Sequence, residues 1–193
     1  LDPIEINKEG QIVHFLGQSM PQATNDTFPV QFTGIQIMDA EIFARIPTSG
    51  FCETTKEIFP KMIQEGLPVF AYLHSGYWND MGRRENYLEI HRDILDGRVQ
   101  SLLPLEKPPA DPPGIVQPVF IGKDCVIGEN ARVGPYTILG DNCRVENDCV
   151  VENSVIWDNV SIKHGTKVAR SVLAEGISLA SEVKDQLVTP ENK

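Results

Sequence analysis

What the chain lacks narrows its function before anything it contains. No run of eighteen consecutive apolar residues occurs, so no segment reads as a membrane span. Positive charge is scarce: 17 Lys and Arg face 27 Asp and Glu, for a net charge of −10. Phosphate backbones demand a basic surface, which argues against nucleic acid as a main partner. Cysteine is sparse too, with four residues and no C-x-x-C pairing, so the common zinc frameworks are missing. A reducing, cytoplasmic compartment is the expectation. The first residues, Leu1-Asp2-Pro3, are neither an initiator Met nor a signal peptide, and the expectation is a chain cut out of something longer.

What is present is a period of six. From Val119 to Val151 an aliphatic residue returns at Ile121, Ile127, Val133, Leu139, Val145 and Val151. The residue two places earlier is small each time: Val119, Cys125, Ala131, Thr137, Cys143 and Cys149. A helix needs apolar spacing near 3.6 and a plain strand needs 2, so neither fits. A strict six suits a parallel β-helix, whose short strands stack coil on coil. The frame slips by a residue to Ile156, Ile162 and Val168, then again to Leu173 and Leu179. That allows roughly three to three and a half coils, near the minimum for a stable stack. Cys125 and Cys143 are one 18-residue coil apart. A disulfide is conceivable there, but small buried apolar packing is the favoured reading.

Ahead of the repeats the pattern is mixed. Residues 4–15 read as a hairpin turning at Asn7-Lys8-Glu9-Gly10, and 16–29 as a loop. Val30 to Met38 reads as a strand interrupted at Thr33-Gly34, where a bulge and a close ligand approach are both open. Asp39 caps a short helix, and Thr54 with Glu57 has capping-box spacing for another that ends at Gly66. Pro68 to His74 reads as a strand, and Arg84 to Leu95 as an amphipathic helix closed by Gly97. Between the parts, Leu103 to Pro118 holds six prolines and reads as an extended linker. The expected division is therefore an α/β segment over 1–100, a linker over 101–118, repeats over 119–180 and a polar tail over 181–193.

The chemistry-bearing stretch is Gly76-Tyr77-Trp78-Asn79-Asp80-Met81-Gly82. An Asp there can bind a divalent cation, since Mg²⁺ takes oxygen ligands and often only one or two protein carboxylates. Spacing alone favours Asp80 as a cap for the following helix.

Phe32-Thr33-Gly34-Ile35, the helix after Asp39, this Trp-Asn-Asp-Met-Gly stretch and the hexapeptide tail together resemble the sugar-nucleotide pyrophosphorylase, or nucleotidyltransferase, family. The nearest branch resembled is mannose-1-phosphate guanylyltransferase-like. The resemblance implies an α/β fold, the C-terminal part of a Rossmann-like nucleotidyltransferase domain, followed by a left-handed parallel β-helix. It implies a reaction in which a sugar 1-phosphate attacks the α-phosphorus of a nucleoside triphosphate and displaces pyrophosphate, with Mg²⁺ as cofactor. It assigns Asp80 as one of two metal-holding carboxylates and places Thr33, Gly34 and Trp78 on the sugar side. It also implies a homo-oligomer assembled through the β-helix. The family's glycine-rich triphosphate loop and its earlier Asp are missing from this chain, so the chain alone is expected to be inactive. Two rival classes stand: a non-catalytic regulatory or scaffold homologue, and a hexapeptide acyltransferase using His164, the one histidine of the repeats, as general base.

Overall fold

Alternating Ile4 and Ile6, a turn and a second apolar run at Ile12–Phe15 build the first sheet of the protein. The computed structural model describes residues 4–21, 23, 26–99 and 112–191. Two compact units divide between Trp78 and Asn79.

In the N-terminal unit β1 (Ile4–Ile6) and β2 (Ile12–Phe15) form the expected hairpin. Asn7 closes the turn by accepting the Glu9 and Gln11 amides on its Oδ1 at 3.1 and 2.9 Å. The region read as a loop adds two short strands, β3 (Gln18–Ser19) and β4 (Phe28–Val30), giving an antiparallel sheet of order β3-β2-β1-β4. The strand expected over 30–38 is not there: only Val30 pairs, and the chain then leaves the sheet. Likewise 68–74 contributes only a bridge, Phe70 with Gln11, held by Ile12 N–H to Val69 O and Ala71 N–H to Gly10 O.

Asp39 caps the predicted helix, which is a 3₁₀ turn over Ala40–Arg45, through Oδ1 to the Glu41 amide at 3.0 Å. The capping-box segment opens as a π turn over Thr54–Ile58 before α1 (Phe59–Gln64). Pro60 has no amide to return to Lys56, and the turn ahead of it widens so that Phe59 N–H reaches Thr54 O. The cap is Glu53, not Thr54, and Glu57 reaches back to its amide at 3.0 Å. Ile4, Ile6, Ile12, Phe15 and Ile63 form the core of this unit, with Phe32 and Phe59 meeting Phe15 edge-on.

The C-terminal unit carries α2 (Arg84–Leu95) and the repeats. Each coil has three strands. The first coil is β5 (Val119–Ile121), β6 (Val126–Ile127) and β7 (Arg132–Val133). The second is β8 (Thr137–Leu139), β9 (Arg144–Val145) and β10 (Val150–Glu152). The third is β11 (Val155–Ile156), β12 (Ser161–Ile162) and β13 (Lys167–Ala169). The fourth is β14 (Val172–Leu173), β15 (Ser178–Leu179) and β16 (Val183–Lys184), and β17 (Leu187–Val188) begins a fifth. All pair in parallel, making three sheets of five, four and four strands, the left-handed β-helix the period of six implied.

The stack is longer than the sequence suggested. Coil length falls from 18 residues (Val126 to Arg144) to 17 (Arg144 to Ser161) to 15 (Val168 to Val183). After Leu179 the sixth residue is Asp185, so the period breaks while the coil continues through buried Val183 and Val188. Strands therefore reach into the expected polar tail. At the other end Gly114 O accepts the Val133 amide and Val116 N–H donates to Val133 O, so 114–116 lie on the first coil. The expected linker over 101–118 otherwise falls on 101–111, outside the described residues.

Corners are made by residues that tolerate positive φ. Asp124, Asn130, Asn142, Asp148, Asn153, Asn159 and Asp185 all have φ between 49° and 60°, a region where short polar side chains cost least. One corner also carries a buried polar ladder. Ser154 Oγ donates to Glu152 O at 2.7 Å and accepts the Ser171 amide at 3.1 Å, and Ser171 Oγ repeats the pattern one coil on. These hydroxyls occupy the shortened corners and satisfy backbone groups that no strand pairs.

Candidate functional site

The sugar-side residues lie in the N-terminal unit. Trp78 Nε1 donates to Thr33 O at 3.3 Å, so the structure brings together two elements 45 residues apart in sequence. Thr33 is half-buried and the Trp78 ring is exposed. Gly34 has φ of +86°, and a Cβ there would meet nothing within 4 Å. Its requirement is conformational: the backbone sits where L side chains are strained, with or without a close neighbour. No strand runs through it, which removes the bulge reading.

Asp80 belongs to the C-terminal unit and is exposed. It is not the cap of α2, because the N-cap is Arg83, which makes no side-chain cap bond. Its Oδ1 accepts the Gly82 amide at 2.9 Å and its carbonyl accepts from Asn86 Nδ2 at 2.7 Å, an Asx-type turn that holds the motif against the start of α2. Beside it, Asn79 Oδ1 is buried with no protein donor. Oxygen atoms of this kind suit Mg²⁺. Two do not make a site, and no group of three or more His, Cys, Asp or Glu that could hold a metal occurs among the described residues.

His164 stands on the outside of the β-helix with its side chain 70% exposed. Its Nδ1 is 3.6 Å from Asp148 Oδ2, and its amide donates to Glu146 Oε2. Glu146, bonded to Lys163 Nζ at 3.0 Å, is held below the usual carboxylate range chiefly by that lysine. His164 and Glu146 line a shallow cleft of about 340 Å³ with Val126, Arg144 and Asn147. A general base works best screened from water, and the exposed His164 ring is not screened here.

Sequence reasoning missed the seat of α2. Leu88 packs with Val155 and Val172, joined by Tyr87 and Ile138. Ile138, Val155 and Val172 are outward positions of one sheet, whereas the outward row of the next sheet reads Val126, Arg144, Ser161, Ser178. The apolar outward row was the signal. Arg92 fixes the register of the helix by donating to Asn153 Oδ1 at 2.9 Å, with its guanidinium 5.8 Å from the Tyr136 ring centre. Trp157 Nε1 donates to Tyr87 Oη at 3.2 Å. Burial lowers the His91 pKa on the same helix, against the bond its Nδ1 makes to Tyr87 O.

Residues 113–188 match the family model described as the EIF2B subunit epsilon LbH domain. Over longer stretches the chain is 23% identical to a mannose-1-phosphate guanylyltransferase of Mycobacterium tuberculosis, across 74% of this chain and 42% of that protein. It is 28% identical to a glucose-1-phosphate adenylyltransferase of Bacillus cytotoxicus, across 92% of this chain and 46% of that one. A UTP–glucose-1-phosphate uridylyltransferase of Synechocystis is 26% identical across 58% and 32%. This chain is similar to sugar-phosphate nucleotidyltransferases. The resemblance read from Thr33, Trp78, Asp80 and the repeats holds, and it covers the C-terminal region of those proteins. The chain spans less than half the length of each of these relatives. No helix among the described residues is long and apolar enough to cross a membrane.

Proposed function

We propose that this chain is the sugar-side segment and β-helix of a sugar-1-phosphate nucleotidyltransferase of the GDP-mannose type, catalytically incomplete as it stands. The observation that carries the reading is the Trp78–Thr33 contact, which joins the two stretches that resemble the family's sugar side, in a chain whose relatives are named for sugar-phosphate nucleotidyl transfer. In the complete enzyme the sugar phosphate oxygen attacks the α-phosphorus, the α–β phosphoanhydride breaks and pyrophosphate leaves. Catalysis of this kind is positioning and charge neutralisation. Thr33, Gly34 and Trp78 orient the sugar, and Asp80 is the carboxylate assigned to Mg²⁺, which neutralises phosphate charge when bound. The GDP-mannose type follows the mannose-1-phosphate guanylyltransferase-like resemblance, and the relatives above are named as guanylyl-, adenylyl- and uridylyltransferases. A cytoplasmic homo-oligomer built through the β-helix belongs to the same reading.

The test is pyrophosphate release from GTP and mannose 1-phosphate with Mg²⁺. This chain alone is expected to release none and the full-length gene product to release it. Turnover by this chain overturns its incompleteness, and a full-length product inert toward every sugar phosphate overturns the enzyme class. That second outcome favours a non-catalytic homologue, a reading with its own support in the match to a domain named for a subunit. Light scattering of the purified chain at varied concentration tests the oligomer.

A further inference from the structure

We propose that Cys125 and Cys143 are an oxidisable thiol pair that staples the first coil of the β-helix to the second as a reversible intrachain disulfide. The residues that follow them pair in register, Val126 with Arg144, and Val126 N–H donates to Cys143 O at 2.9 Å. Cys125 therefore stacks on Cys143. Adjacent strands lie about 4.8 Å apart, inside the Cα separation of roughly 4.4–6.8 Å that a disulfide spans. Both thiols point the same way around the coil, Cys125 Sγ toward Gly140 O at 3.0 Å and Cys143 Sγ toward Trp157 O at 3.1 Å. They lie within hydrogen-bonding reach of each other. Other cysteines do not compete: Cys149 is buried on the following corner against Lys163 O, and Cys52 is in the other unit.

The two thiols are not equivalent, and the difference fixes the order of events. Cys125 sits on the first coil and is half-exposed, whereas Cys143 is buried one coil further in. The hydrogen bond between them lowers the Cys125 pKa to about 7, against the desolvation and the nearby Asp141 and Asp124 carboxylates, which push it up. The same bond and burial hold Cys143 protonated. The thiolate is the nucleophile, so Cys125 meets the oxidant and Cys143 resolves the product. With hydrogen peroxide as oxidant, the Cys125 thiolate attacks one oxygen and the O–O bond breaks, leaving a sulfenic acid and hydroxide, which becomes water by taking up the proton that Cys125 released on ionising. The Cys143 sulfur then attacks the Cys125 sulfur, the S–O bond breaks, and the departing hydroxide takes the Cys143 proton. Two thiols lose two electrons and one peroxide becomes two waters.

The intact chain treated with one equivalent of hydrogen peroxide, alkylated and digested with trypsin under non-reducing conditions tests this. The expected product is a disulfide between peptides 124–132 and 133–144, with two of the four thiols lost and restored by dithiothreitol. Mixing ¹⁵N-labelled and unlabelled protein beforehand should yield no mixed-isotope pair. Cys125 passing to sulfinic acid beside an alkylatable Cys143, a mixed-isotope linkage, or an unreacted Cys125 overturns the proposal. In Cys143→Ala, Cys125 should stop at a sulfenic acid trapped by dimedone. Should that variant not fold, the peptide linkage in the unaltered chain still decides.

Discussion

The β-helix buries its large side chains and the N-terminal unit leaves many of its own in water. In the repeats, Val133, Leu139, Val145, Val151, Ile156 and Ile162 are all 1% exposed or less, and each coil covers the one before it. In the N-terminal unit, Ile37 is 99% exposed, Tyr72 92% and Phe51 86%, with Ile35 and Phe43 above 70%. Ile35 and Ile37, and Phe70 and Tyr72, are exposed pairs two residues apart in sequence. The lesson is that regular repetition completes its own core, whereas an irregular unit can leave half of one open. The same contrast fits the proposed role of the unit as part of a larger catalytic domain.

The sharpest way to break that contrast is a glycine. A Cβ on Gly134, with φ of +101°, would meet Val116 O at 1.9 Å, whereas at Gly50, with φ of +89°, it would meet nothing within 4 Å. Gly134→Ala should disrupt the seating of 114–116 on the first coil and lower the melting temperature by many degrees. Gly50→Ala should cost about 1 kcal/mol, the backbone term alone. Equal shifts in thermal melts would show that coil contact is not what Gly134 provides.

Next in size is truncation of the stacked core. Ile156→Ala should cost about 2–5 kcal/mol, because its neighbours Leu139 and Leu173 are stacked in register on either side. Ile37→Ala, at a side chain in water, should fall within about 0.5 kcal/mol. Chemical denaturation reads both. A large loss for Ile37→Ala would mean that its face is covered in solution, most simply by a second copy.

Much of this was legible because a period of six is rare and redundant. Ile121 through Val151 named the fold, and the slip at Ile156 located the shortened coils. What escaped was whatever depended on partners distant in sequence. Pro68–His74 has strand-like residues, yet strands need neighbours, and among the described residues only Gln11 bridges to it. Leu88 looked like half of an amphipathic face with no stated partner until Val155 and Val172 supplied one. Asp80 carried a family role and a capping role in sequence, and the cap went to Arg83. The start of the fifth coil, β17, escaped because Asp185 breaks the period while Val188 remains buried.

The docking of α2 gives a smaller and more local expectation. Leu88→Ala should speed amide exchange over 84–95 by roughly thirty- to a thousandfold, the range a loss of about 2–4 kcal/mol of local stability produces. Protection of the coil strands β8, β11 and β14 should hardly change, because their hydrogen bonds run coil to coil. A general loss of protection would show that α2 supports the stack and does not merely rest on it.

The smallest expected effect is on pH, and its window differs between helix and coil. His91 has its pKa lowered below 6.5 by burial. Above 6.5 it is neutral folded or unfolded and costs nothing. As pH falls below 6.5 the unfolded chain takes up the proton first, so the docked helix loses stability down to the folded pKa. Asp185 at the last corner is held below 3.8 chiefly by the Arg170 guanidinium, which grips it with two bonds. Its contribution is complete above 3.8 and disappears as pH falls through the lower folded value. Protection over 84–95, corrected for the intrinsic exchange rate, should therefore fall once pH drops below 6.5, while the β16–β17 corner holds until pH drops below 3.8. His91→Gln should flatten the first change without touching the second, and Asp185→Asn should do the reverse. A single transition shared by both regions would mean that α2 and the last coil open together, and the contrast between a self-sufficient stack and an attached helix would not hold.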